Sequence, residues 1–214
     1  MEFNRENVFA DLTKTVEQLV EGMKVEFLRG VKKGINSGIT FQEMDLEKSL
    51  NVFVEMYYKT MRRVGAEEFY FFKNELFEKL RSGNLSLQLV GAFKENSPVS
   101  VALILKSGLS MHYFLGASKE EFLPFRPNNI MFYNMLFWAK EKGARTLLLG
   151  GGYNTDSGNS LLRFKKSIVA GRADFLTGKR IWNEKIYSEL KNSTLLKKPH
   201  LRGRYENFFQ IYRL

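Results

Sequence analysis

Apolar positions near the start of the chain, Val8, Leu12, Val16, Leu19, Val20 and Met23, recur at the spacing of one helix face, so residues 6–34 read as helical, with Gly34 as the stop. "SGITFQEMD" follows as a short strand after a turn, and Asp45 stands where it caps the next helix, "LEKSLNVFVEMYYKTMRRVG". "EEFYFFKNELFEKLRSG" predicts a third helix ending at Gly83. The period then changes. "LSLQLVGAFKE", "SVALILKSG" and "LSMHYFLGAS" read as strands separated by "NSP" and by Ser107-Gly108, the pattern of an antiparallel meander. "NNIMFYNMLFWAKEKGA" is a strongly apolar helix ending at Gly143, "RTLLLGGG" a strand, and Ser160 onward a helix. "RADFLTGKRIWN" returns as a strand or hairpin before a last helix and an irregular basic tail. This order predicts an α/β (α+β) domain around a mixed, mainly antiparallel sheet flanked by helices, with an N-terminal helical segment. The expected divisions are 1–36 (helical segment), 37–185 (main domain) and 186–214 (basic helix and tail).

The stretch "LLLGGGYNTDSGNSLLRFKKS", residues 147–167, runs from a buried strand through three glycines into a basic amphipathic helix. Glycines let the backbone turn sharply and approach a ligand, and small polar residues cap the helix that follows. Two phosphate loops do not fit. A Walker loop needs Lys and Ser or Thr after its second glycine, but Asn159 follows Gly158; the dinucleotide fingerprint started from Gly150 places Thr155 at its last glycine.

Composition narrows the chemistry. The 214 residues, 44% hydrophobic and 26% charged, are those of a globular protein with one good core. No run of about 18 apolar residues is present, and the polar start does not resemble a secretory signal, which predicts a cytoplasmic protein. There is no cysteine, and the two histidines are His112 and His200, which excludes disulfides, thiol catalysis and the usual zinc sites; no metal site is expected. Catalysis must rest on Lys, Arg, Tyr, Ser, carboxylates and backbone groups, and His112 reads as a packed strand residue rather than a base. The net charge of +10 is concentrated: residues 161–214 hold 13 Lys and Arg against 4 Asp and Glu, and the rest 20 against 19. Such a field favours phosphate-bearing donors or substrates, tRNA or an anionic membrane surface, and leaves peripheral association with the inner membrane surface open.

Five segments in series, "YYKTMRR" (57–63), "YFF" (70–72), "VALILKSGLSMHYFLGAS" (101–118), "NNIMFYNMLFWAKEKGARTLLLGGG" (128–152) and "LLRFKKS" (161–167), resemble the FemAB-like branch of the GNAT acyltransferases. That branch includes the peptidoglycan-bridge aminoacyltransferases and related single-domain proteins of bacteria. The resemblance spans roughly residues 25–185 and is most specific at the glycine turn followed by Phe-Lys. It implies a GNAT fold and puts Phe164 and Lys165 beside the transferred acyl group, with Gly150, Gly151 and Gly152 lining the cleft. It further implies that Lys165 stabilises the oxyanion of acyl transfer, helped by a backbone N–H near Gly116 or Ala117, while Tyr113 protonates the leaving group or packs. Tyr57 and Thr60 match family positions that contact substrate. FemAB enzymes proper are twice this size, and the chain resembles their second domain preceded by the connecting helix.

The resemblance implies an N-acyltransferase acting on an amine of a cell-envelope precursor or sugar. A non-catalytic GNAT-fold binding protein and an RNA-binding module are the competing classes, the last lacking the interleaved aromatics of RNA-binding sheets. The donor turns on "RPNNIM", residues 126–131. Acyl-CoA-dependent GNAT enzymes wrap the pyrophosphate there with small residues at a helix start; here Arg126 remains, Pro127 lacks an N–H, and Asn129 and Met131 replace the small residues. Met131 is expected to obstruct a diphosphate, and Asn128 or Asn129 to cap the helix. No tightly bound cofactor is expected, and the donor is aminoacyl-tRNA in preference to acyl-CoA.

Overall fold

The computed structural model describes residues 2–82, 86–152, 159–203 and 205–213. The expected stop at Gly83, and Thr155 and Gly158 of the glycine-rich loop, lie outside the described residues.

The chain begins with a strand. β1 (Glu2–Asp11) pairs antiparallel with β6 (Thr146–Gly150), Val8 opposite Gly150 and Asp11 opposite Thr146. Val8, Ala10 and Leu12 are all buried, an alternation of period two where the sequence reading took Val8 and Leu12 for one helix face. Of the helix expected over residues 6–34, two pieces form: α1 (Val16–Glu21), opened by a reciprocal Thr15–Gln18 capping box, and α2 (Val25–Asn36), which runs through the expected stop at Gly34.

β2 (Thr40–Met44), β3 (Ser86–Lys94), β4 (Ser97–Ser107) and β5 (Ser110–Ser118) form an antiparallel run, with Gly108 at φ +56° in the last turn. With β7 (Gly171–Thr177) the sheet has seven strands among the described residues, in the order β2-β3-β4-β5-β6-β1-β7. The helix expected over residues 67–83 is instead a 3-10 turn at Glu68–Tyr70 followed by α4 (Asn74–Ser82).

Two apolar layers sandwich the sheet. α5 (Pro127–Glu141) and α2 bury Ile130, Met131, Met135, Phe27 and Val31 against one face. α5 lies between α2 and the sheet, which accounts for a helix apolar on nearly all sides. α3 (Leu46–Arg63) and α4 cover the other face through Phe53, Tyr57 and Phe77. Burying each such side chain contributes about 1.5–3 kcal/mol.

The chain divides into two units, residues 5–175 and a smaller unit of residues 1–4 with 176–214. The smaller unit contains α7 (Glu184–Lys197), and Leu195, Leu201 and Ile211 are its buried apolar cluster among the described residues, with Tyr205 against them.

Candidate active site

β5 and β6 run parallel for only three residue pairs, Ser110–Thr146, Met111–Leu147 and His112–Leu148. β5 then continues to Ser118 on β4 alone, while β6 continues to Gly150 on β1. Two neighbouring strands that take different partners leave a cleft between their C-terminal ends. At the far end of the freed edge of β5, Ser118 is satisfied from α3: its N–H donates to Thr60 Oγ1 at 3.0 Å, and its carbonyl accepts from Thr60 Oγ1 at 3.2 Å and from Arg63 Nη1 at 2.7 Å.

β6 ends in the glycine turn. Gly150 has φ +76°, a conformation that favours glycine, and a Cβ built there would meet Lys165 Nζ at 3.6 Å and His112 Nε2 at 3.9 Å. Both side chains thus reach one point at the mouth of the turn. Lys165 comes from α6 (Ser160–Ile168), whose N-cap Asn159 accepts from the N–H groups of Leu161 and Leu162.

Lys165 is 5% exposed and donates to the Gly151 carbonyl at 2.8 Å. The next carbonyl, Gly152, accepts from Arg5 Nη1 at 3.1 Å. Burial, then the charge of Arg5, lower the Lys165 ammonium to about 8. His112 is lowered too, by burial and by Lys165, so the ring is biased toward its neutral form. Lys165 Nζ also lies 5.6 Å from the centre of the Tyr113 ring. The Tyr113 hydroxyl occupies the space over Gly116, where any Cβ would collide with it at 1.9 Å, and burial raises its pKa. Phe164 lies edge-on to Phe27 at 6.0 Å and to Phe132 at 5.5 Å, and Phe132 in turn lies 4.8 Å from the Tyr113 ring.

The structure therefore brings Lys165, Tyr113, Gly150 and Gly151 together at the end of β6, with Gly152 next in the chain and Phe164 joined to Tyr113 through Phe132. Tyr57 and Thr60 lie on α3, across the sheet from α5. Tyr57 is 1% exposed, donates to the Tyr70 carbonyl at 2.8 Å, and burial raises it to about 12; Thr60 is held by Ser118.

The start of α5 differs from the sequence reading. Its N-cap is Arg126, left-handed at φ 61° and without a side-chain cap, and Pro127 with its fixed φ takes the first helical position. Asn128 and Asn129 are inside the helix rather than capping it. Asn128 Oδ1 accepts from Ser100 Oγ at 2.6 Å, and Asn129 is buried with its amide donating to the Phe27 carbonyl at 3.1 Å. Met131 is 1% exposed in the core, so it does not stand in the path of a diphosphate.

Two residues of the cluster escaped the sequence reading. Arg5 is carried by β1, where the apolar spacing predicts a helix from residue 6, and His112 reads in the sequence as a packed strand residue. Alternation through Val8, Ala10 and Leu12 is the signal that marks the first. Among the described residues no three His, Asp or Glu side chains form a group able to hold a metal ion, and no helix is long and apolar enough to cross a membrane.

Known proteins resemble this chain in part of its sequence and in its fold. The lipid II:glycine glycyltransferase of Staphylococcus aureus is 40% identical over 72 residues, which are 32% of this chain and 17% of that protein. The chain thus matches only about a sixth of that relative's length. The crystal structure of FemX superposes with a TM-score of 0.66 over 88% of this chain and 64% of that one, at 19% identity. The structure of L-PGS from Bacillus licheniformis gives 0.55 over 85% and 62%, at 15% identity. At these identities the two superpositions establish the fold. A family model described as an acetyltransferase (GNAT) domain matches residues 27–166, from α2 through the Phe164-Lys165 pair of α6. With its splayed β5–β6 pair and the FemX fold, the chain belongs to the GNAT acyltransferase family and resembles the FemAB-like branch within it.

Proposed function

We propose that the protein is an N-acyltransferase that moves an acyl or aminoacyl group from an activated ester or thioester to an amine of a cell-envelope precursor or sugar. The observation that carries this reading is the buried Lys165 ammonium at the mouth of the β5–β6 cleft, held against the Gly151 carbonyl. The partial identity to a lipid II:glycine glycyltransferase supports the aminoacyl version.

In the proposed reaction the acceptor amine attacks the donor carbonyl, a C–N bond forms and the carbonyl oxygen gains negative charge. A cation already desolvated and oriented stabilises that oxyanion without further reorganisation, commonly a large catalytic term. Lys165 is assigned this role, with a backbone N–H near Gly116 or Ala117 as second donor. Collapse breaks the carbonyl's bond to oxygen or sulfur, and the proton lost by the amine ends on the leaving group. Tyr113 keeps its proton through the neutral range and lies next to Lys165, which supports it as the relay.

For the donor, aminoacyl-tRNA remains the proposed class. Pro127 contributes no N–H to the start of α5, and the Asn128 side-chain oxygen is engaged by Ser100. Acyl-CoA is the second reading, favoured by the burial of Met131, which leaves the turn at Arg126 unobstructed. Titration calorimetry with acetyl-CoA decides between them: weak or no heat is expected, and a one-to-one micromolar isotherm abolished in Arg126→Ala reverses the assignment. The transfer reading is tested by single-turnover assays with glycyl-tRNA and a lipid-linked muropeptide. Lys165→Met is expected to abolish transfer with the fold retained; full activity with an unchanged melt removes Lys165 from the reaction.

A further inference from the structure

His112 stands where the two strands part. It is the last residue of β5 that pairs with β6, opposite Leu148, and Gly150 follows two residues further along β6. Side chains alternate along a strand, so His112 and Leu148 share one face of the sheet, while Tyr113 points to the other, against Phe132. The Lys165 ammonium reaches this fork: it lies 5.6 Å from the centre of the Tyr113 ring and, like His112 Nε2, within 4 Å of the point that a Cβ on Gly150 would fill. Because residue 150 is glycine, that point is left to a substrate atom, with a cation and a ring nitrogen both facing it.

His112 is half-buried, its ring edge-on to Phe114 at 6.1 Å, and neither ring nitrogen has a hydrogen-bond partner among the described residues. Its strand partners, Leu105 on β4 and Leu148 on β6, are apolar. The charge that acts on it is Lys165 from α6, and Arg5 from β1 acts on Lys165 in turn; burial and the Lys165 charge favour the neutral ring. The reaction needs such a group. An ammonium that stabilises the oxyanion has no lone pair with which to take a proton, and the Tyr113 hydroxyl keeps its own. We propose that His112 Nε2 is the base that takes the proton from the attacking amine, an inference that rests on the transfer reading. The C–N bond forms as that proton passes to the imidazole; the bond from the carbonyl carbon to oxygen or sulfur then breaks, and Tyr113 protonates the leaving group. Solvent takes the proton from the imidazolium and returns one to the phenolate, so none is gained or lost.

Transfer from glycyl-tRNA to a lipid-linked muropeptide is measured across pH, with melts on the same preparations. In the parent protein the acid limb of kcat/KM is expected at the pKa that the His112 ring protons show by NMR, below the ordinary histidine value, and that pKa is expected to rise in Lys165→Met. His112→Gln keeps a polar side chain but cannot take the proton; a loss of about 100-fold is expected, with the acid limb gone. In His112→Gly, added imidazole is expected to restore transfer in proportion to its neutral fraction. A residue that only packs would lower the melt on replacement and leave imidazole without effect. Parent-level transfer in His112→Gln, no rescue of a folded His112→Gly, or an acid limb that does not follow the His112 titration overturns the assignment of His112 and leaves the transfer reading in place. No transfer by the parent protein at any pH overturns both.

Discussion

Burial and the charge of Arg5 lower Lys165 to about 8 in the folded protein, while an unfolded lysine titrates near 10.5. Below about pH 8 both states carry the proton and the folded state bears the full cost of a buried cation. Between about 8 and 10.5 the unfolded state binds more protons, so this contribution to stability rises with pH. The shift corresponds to a cost of about 3 kcal/mol, offset by about 1 kcal/mol for the bond to the Gly151 carbonyl. Lys165→Met is therefore expected to be about 2 kcal/mol more stable than the parent protein at pH 7, with the difference shrinking toward pH 10.5. Denaturant titrations across that range check it; a variant less stable at pH 7 would contradict the buried-cation account. The same ionisation shapes activity. If the ammonium stabilises the oxyanion, transfer declines as pH passes about 8. Arg5→Met removes the second depressing influence, so the alkaline limb should move upward. A limb that stays in place would show that Arg5 does not act on Lys165.

At the level of elements, the cleft exists because β5 leaves β6 after His112 and α3 holds the end of the freed strand at Ser118. Thr60→Val keeps the shape of the side chain but leaves the N–H of the buried Ser118 without its acceptor. A loss of about 1–3 kcal/mol is expected, with faster amide exchange at Ser118. Unchanged exchange there would mean that β5 holds its end without α3. Asn159→Ala, at the cap of α6, is expected to cost about 1 kcal/mol and to loosen Lys165 with the helix start. Comparing the melt with the single-turnover rate for that variant separates a loss of stability from a loss of position.

For the whole molecule, the two units carry cores of very different size. Residues 5–175 hold two extended clusters on a seven-stranded sheet, whereas residues 176–214 bury Leu195, Leu201 and Ile211 among the described residues. Local opening follows buried apolar area, so amides of α7 are expected to exchange several kcal/mol below those of β3–β5 in native-state hydrogen exchange. Equal protection in both places would show that the smaller unit opens only with the rest.

The meander β3–β5, the apolar α5 and the glycine turn before Phe164-Lys165 were legible from sequence because each is a local pattern: alternation, turn chemistry, or a motif of adjacent residues. The first strand was not. Val8 and Leu12 satisfy a helical period as well as an alternating one, the small Ala10 hides the alternation, and the partner that decides between them, β6, lies more than a hundred residues away. With β1 went Arg5, whose place beside Gly152 follows only from that pairing. Asn129 and Met131 looked like loop residues beside a binding turn, yet Pro127 starts the helix one residue earlier and turns both inward onto α2 and the core. The sequence by itself determined which residue types and local elements this protein has, because propensity and periodicity act over a few residues. Tertiary structure alone decided which of them meet: a lysine on a late helix, an arginine on the first strand and a histidine in the middle converge at Gly150, because two strands that begin as neighbours end on different partners.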